Sequence, residues 1–146
     1  IATKYAIPRL RARGGGSIIN TASGSAFSGM LSNSSYGILK AGIVTLTKYV
    51  ATQHGKENIR CNAISPGLIV TPSTEDTYAA SKAGEIMLKH QLVPRFGRPA
   101  DIAEMAVYLA SDAAGFITGQ CFAVDGGLDA HTPIYGDALV AVSART

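Results

Sequence analysis

The 146-residue chain has no tryptophan, two cysteines and three histidines, with 7% aromatic and 16% charged residues. Each shortage excludes something. Cys61 and Cys121 sit in separate apolar stretches, "IRCNAIS" and "GQCFAV", with no CxxC spacing. That excludes a disulfide framework and leaves two buried thiols in a reducing compartment as the expectation. His54, His90 and His131 lie far apart, so no clustered ligand set for a metal is expected. No apolar run approaches the ~20 residues that a membrane span needs, and no secretory leader is visible. The expectation is a cytoplasmic protein with no membrane partner. Net charge is +3, and the densest basic group, Arg9, Arg11 and Arg13, has no aromatic interleaving. It reads as a solvated helix end, and no nucleic-acid partner is expected.

What is present is apolar material enough for a core, 47% of residues, arranged in an alternation. "IATKYAIPRLRARGGG" reads as the end of a helix stopped by glycines. "SIINTAS" reads as a buried strand over Ser17 to Thr21. Ser35 to Gln53 carries a helical period, with Leu39, Ile43, Leu46 and Val50 in one stripe. Ile38, Ala41, Val44 and Ala51 widen the apolar surface beyond that stripe. Such a helix is expected to be covered on two sides, by a sheet and by a partner subunit. "NIRCNAISPG" gives a second strand, about Ile59 to Ile64. One helix is expected over Asp76 to Lys89, within a lid spanning 71–94. Another helix follows Pro99, and "GQCFAVDGG" gives a third strand. The tail, 128–146, shows little period and reads as an extended arm. Strand, helix, strand, helix, strand implies a parallel sheet with crossover helices and ligands at the carboxyl ends of its strands.

Those ends carry chemistry. Tyr36 and Lys40 lie one helical turn apart and face the same way. A neighbouring ammonium favours phenolate, and such a phenol can exchange a proton with a carbonyl or alcohol oxygen. Ser23, thirteen residues before Tyr36, can hold that oxygen. Ser65, Tyr78 and Lys82 repeat the same spacing, so spacing alone does not choose. Context favours Ser23, Tyr36 and Lys40, since Ser65 abuts Pro66-Gly67 and Tyr78 sits in the lid, where fixed geometry is hard to keep.

The ordered motifs "GGSIINTAS", "YGILKAG", "IRCNAISPGLIVT" and "RFGRPADIAEMAVYLASDAAGFITGQCFAVDGG" resemble the short-chain dehydrogenases/reductases from roughly Gly15 to Gly127. The resemblance implies an α/β fold, the C-terminal part of a doubly wound, Rossmann-like parallel sheet with about three strands. It implies NAD(P)-dependent hydride transfer between a carbonyl and an alcohol, with NAD or NADP as cofactor. Ser23 would orient the substrate oxygen, Tyr36 would be the acid-base group, and Lys40 would support Tyr36 and hold the nicotinamide ribose. Pro66, Gly67, Ile69 and Thr71 match "PGxIxT", which contacts the nicotinamide end. Leu39 stands where the family usually has serine.

The family's glycine-rich turn between a first strand and a helix is not in this chain; "RGGGS" precedes a strand instead. The residue that reads the adenosine ribose and the family's catalytic asparagine would lie upstream of Ile1. The expectation is therefore a single partial domain, 1–146, whose bare sheet edge is covered by a missing N-terminal half or a second copy. The alternative is a non-catalytic, self-associating chain that lacks the dinucleotide-binding half. A ligand carrier using the lid without chemistry is a weaker third reading. The substrate would be a small carbonyl or alcohol, and the assembly a homo-oligomer.

Overall fold

The computed structural model describes residues 2–31, 33–78 and 80–143. Three parallel strands, β1 (Gly16–Thr21), β2 (Ile59–Pro66) and β3 (Cys121–Val124), form one sheet in the order β1-β2-β3. Gly16 pairs with Ile59 and Thr21 with Ile64, while Ala63 pairs with Cys121 and Pro66 with Val124. The helices are α1 (Ala2–Ala12), α2 (Ser34–His54), α3 (Glu75–Tyr78), α4 (Lys82–His90), α5 (Pro99–Ala110) and α6 (Tyr135–Ser143).

The strand period divides the side chains between two helical layers. On one face Ile18 and Cys61 pack with Val50 and Ala51 of α2 and Ile7 of α1. On the other, Ile19 and Ile64 pack with Leu109 and Ala114. Central β2 is covered on both faces, with Ile59, Cys61, Asn62 and Ala63 fully buried. With both faces covered, even its polar residues Asn62 and Ser65 are buried. Its one buried amide is engaged at both ends: Asn62 Nδ2 donates to the Ile117 carbonyl (2.9 Å), and Asn62 Oδ1 accepts from the Gln120 N–H (3.1 Å). That clamp fixes the turn leading into β3. Both thiols are free, and burial pushes both upward, which makes them poor nucleophiles.

Several boundaries differ from the sequence reading. The lid helix is two pieces, because Ser81 caps a new helix by accepting from the Gly84 N–H (3.1 Å). A side chain at 84 would run into the Tyr78 carbonyl, so the chain turns sharply there. Ala79, inside the expected lid, and 144–146, at the end of the expected arm, lie outside the described residues. The arm is not extended throughout: α6 folds back on α4, with Lys89 Nζ and Asp137 Oδ1 2.5 Å apart. The two ends of the lid are pinned together, since the Val70 N–H donates to the Gly97 carbonyl (2.9 Å) and the Gly97 N–H to the Leu68 carbonyl (3.1 Å). Among the described residues, β1 has no strand on its outer edge. No described helix is long and apolar enough to cross a membrane.

Helix α5 starts at Pro99 behind a charged cap. Asp101 accepts from the Arg98 N–H (2.7 Å) and from both terminal nitrogens of Arg95 (2.7 and 2.8 Å). The Arg95 hydrogen bond, and then the Arg98 N–H, hold the Asp101 carboxyl well below the usual carboxylate range. A depressed folded-state value means the contribution is complete above the unfolded carboxyl's value of about 3.9. It is lost as pH falls through that value toward the folded one. Asp101→Asn is therefore expected to lower the thermal midpoint at neutral pH, with the gap from wild type closing between about pH 5 and pH 2. Melting curves across that range check it, and a gap independent of pH would count against it.

Candidate functional site at the carboxyl ends of the strands

Parallel strands end on one edge of the sheet, and the predicted residues lie there. Ser23 follows β1 by two residues and opens a turn of 3-10 helix, its Oγ accepting from the Ser25 N–H (3.3 Å). The loop it begins packs on the first turn of α2. A Cβ at Gly37 would stand 3.0 Å from the Ser25 carbonyl oxygen. Glycine in a helix interior is ordinarily unfavourable, and here it permits that approach. It occupies the position between Tyr36 and the rest of "YGILK".

Helix α2 is aimed by two polar contacts with β1. Lys40 Nζ donates to the Thr21 carbonyl (2.8 Å), and Asn20 Nδ2 donates to Thr47 Oγ1 (2.9 Å). Lys40 and Thr47 are seven residues apart, two turns along one face. That face runs on to Val50 and Ala51, buried with Thr47. Lys40 Nζ lies 5.5 Å from the centroid of the Tyr36 ring, within cation–π reach. Tyr36 is 46% exposed on the open side. The same helix face thus carries the core contacts at its middle and the Tyr36–Lys40 pair at its start. Of the stripe expected from sequence, Val50 is in the core and Ile43 is half-buried, while Leu39 and Leu46 are exposed.

The competing set is dispersed. Ser65 is 2% exposed, Tyr78 ends α3, and Lys82 begins α4, where it pairs with Glu85 (2.9 Å). Pro66 ends β2 and Gly67 follows it. Gly67 donates its N–H to the Val124 carbonyl (3.1 Å), and a Cβ there would lie 2.6 Å from Asp125 Cα. Gly67 therefore lets the ends of β2 and β3 close on one another, a packing role that sequence reading did not find. Ile69 pairs with Gly97 in an isolated bridge, and the Thr71 N–H donates to Thr74 Oγ1 (3.0 Å). Sequence reading also missed Asn20, Gly37 and Thr47. The signal for the first was an amide inside a β-branched run, which requires a buried partner.

Comparison with known proteins bears on the family and the fold. The family described as enoyl-(acyl carrier protein) reductase matches residues 1–129. A 7alpha-hydroxysteroid dehydrogenase of Bacteroides fragilis is 44% identical over 131 residues, covering 90% of this chain and 50% of that protein. The structure of a 4-hydroxyisoleucine dehydrogenase mutant with NADH and succinate superposes with a TM-score of 0.84 at 35% identity, covering 90% of this chain and 54% of that one. A gluconate 5-dehydrogenase from Burkholderia cenocepacia, with NADP and tartrate, gives a TM-score of 0.79 at 28% identity, over 86% of this chain and 49% of that one. An α/β sheet with helices on both faces and its site at the strand ends defines the class, a Rossmann-like fold. The chain belongs to the short-chain dehydrogenase/reductase family. It spans about half the length of the curated relatives it matches.

The donor set fits one end of a nicotinamide dinucleotide. A lysine ammonium has three N–H donors, and the Thr21 carbonyl takes one. The other two have no hydrogen-bond partner among the described residues and can meet ribose hydroxyls. The pyrophosphate end finds no counterpart among the described residues. Gly14, Gly15 and Gly16 have φ of 81, 131 and 157° and turn the chain from α1 into the amino end of β1, opposite the site.

Gly67→Ala is expected to cost about 1–3 kcal/mol through overpacking, read from urea midpoints. An unchanged midpoint would remove the close-approach account of that glycine.

Proposed function

We propose that the protein carrying this chain is an NAD(P)-dependent oxidoreductase that interconverts a carbonyl and an alcohol. Bound NAD(P)H supplies the hydride for reduction, and NAD(P)+ accepts it in oxidation. Tyr36 is the acid-base group: in reduction its phenolic O–H gives a proton to the substrate oxygen, and in oxidation the phenolate takes it back. Ser23 donates a hydrogen bond to the same oxygen. Lys40 favours the negative charge left on the phenol and holds the nicotinamide ribose with its free N–H groups. Pro66, Gly67, Ile69 and Thr71 line the nicotinamide end, and 71–94 covers the substrate. The observation that carries this reading is the Lys40 ammonium, anchored on the Thr21 carbonyl at the end of β1 and set 5.5 Å from the Tyr36 ring centroid.

A second reading is favoured by one observation. On α2, Ile38 is 74%, Leu39 59% and Tyr49 62% exposed, a surface suited to a second copy of the chain. In that reading the 146 residues alone self-associate through α2 without catalysis. Tight dinucleotide binding by the isolated chain in calorimetry would exclude it.

In the full gene product, Tyr36→Phe is expected to lower kcat/KM for carbonyl reduction at least a hundredfold, within the roughly 10²–10⁴-fold range of general acid catalysis. Lys40→Met is expected to weaken dinucleotide binding in calorimetry as well. Normal turnover by Tyr36→Phe would end this account of proton transfer.

A further inference from the structure

The arm after β3 reaches the loop that Ser23 begins. Asp129 Oδ2 stands 3.2 Å from the place a Cβ on Gly24 would take, so the Asp129 carboxylate lies against the residue that follows Ser23. Between this arm and the loop lies an open cavity of about 460 Å³, lined by Phe27, Ser28, His90, Leu128, Asp129, His131 and Pro133.

The polar groups of this corner are unequally engaged. Asp125 spends both carboxylate oxygens on backbone, Oδ1 accepting from Gly127 N–H (2.9 Å) and Oδ2 from Asp129 N–H (3.0 Å). His131 has its Nδ1 against the Thr132 carbonyl (2.8 Å) and its Nε2 against the His90 carbonyl. The Asp129 carboxylate has no hydrogen-bond partner among the described residues. Asp129 is exposed; the partial desolvation of its carboxyl, and then the Asp125 charge, push it up, with His131 acting in the opposite direction. It is the anionic group in this cavity left to meet a ligand.

The geometry points to this cavity as the seat of the substrate's distal part, and to Asp129 as the residue that selects a hydroxyl group there. The inference rests on the oxidoreductase reading above and names its substrate class: a hydroxylated ring or sugar-like carbonyl compound. A carboxylate only accepts hydrogen bonds, so its partner must donate, and a carboxylate or phosphate on the substrate is repelled. Phe27, Leu128 and Pro133 give the cavity apolar walls for the carbon face of a ring. An ammonium is the less suitable donor, because it would carry a charge into the cavity at a desolvation cost that a hydroxyl does not have.

The test uses the full gene product and four ketones: cyclohexanone, 4-hydroxycyclohexanone, 4-aminocyclohexanone and 4-oxocyclohexanecarboxylate. In wild type, kcat/KM for the hydroxyketone is expected to exceed that of each of the others by about tenfold or more, the scale of a hydrogen bond to a charged group. Asp129→Ala should bring the ratio of hydroxyketone to cyclohexanone toward one. Asp129→Asn, whose amide oxygen still accepts, should keep part of it and improve the carboxylate ketone. Each ratio is taken within one variant, so a general change in turnover cancels. A ratio unaltered by Asp129→Ala overturns the assignment, as does a wild type that favours the amine or the carboxylate. A wild type that turns over no ketone or secondary alcohol in a broad panel, with either nicotinamide, overturns the oxidoreductase reading itself.

Discussion

Parallel pairing around β2 is the constraint on which the rest of the molecule depends. With Gly16 against Ile59 and Ala63 against Cys121, all three strands leave the sheet on one edge. Ser23, Gly67 and Asp125 are brought together by strand direction alone, although long stretches of chain separate each from the next. The register is held because β2 is buried on both faces. A slip of one residue would send Ile64 to the α2 side and Cys61 to the α5 side, exchanging two cores of different shape.

Helix α2 then sets the Tyr36–Lys40 pair over that edge. The helix is long enough for its middle to be fixed by packing while its first turn stays open. Thr47, Val50 and Ala51 anchor it, and the Asn20–Thr47 hydrogen bond sets its rotation about its own axis. Once rotation is set, Lys40 has one place to go, over the end of β1, and Tyr36 follows it by one turn. A rigid helix on a rigid strand is a better support for a proton-transfer pair than a loop would be. The lid differs in kind. Its helices are short, its two ends are pinned at Gly97, and α6 rests on it through Lys89 and Asp137.

The strand ends, the α2 helix and the Tyr36–Lys40 spacing are legible because each rests on local pattern: β-branched runs, a 3.6 period and an i,i+4 pair. The lid reads as one helix because nothing local in "TYAASKAGE" shows that a side chain at 84 would meet the Tyr78 carbonyl. The arm reads as extended because "YGDALVAVS" is a weak helix by itself. It gains its reason from α4, against which Gly136 is buried. Leu39 and Leu46 look like core and lie outside it, because a helix apolar on several sides does not announce which side meets the sheet.

The strand–helix alternation, the parallel sheet and the family came from the sequence by itself, and so did the candidacy of Ser23, Tyr36 and Lys40, because each is written in neighbouring residues or in ordered motifs. Only the tertiary structure decided which face of α2 is buried, why glycine stands at 37 and 67, and that Asp129 meets the loop after Ser23. Those depend on approaches between backbone segments far apart in the chain. A linear pattern holds no distance between them until the sheet has closed.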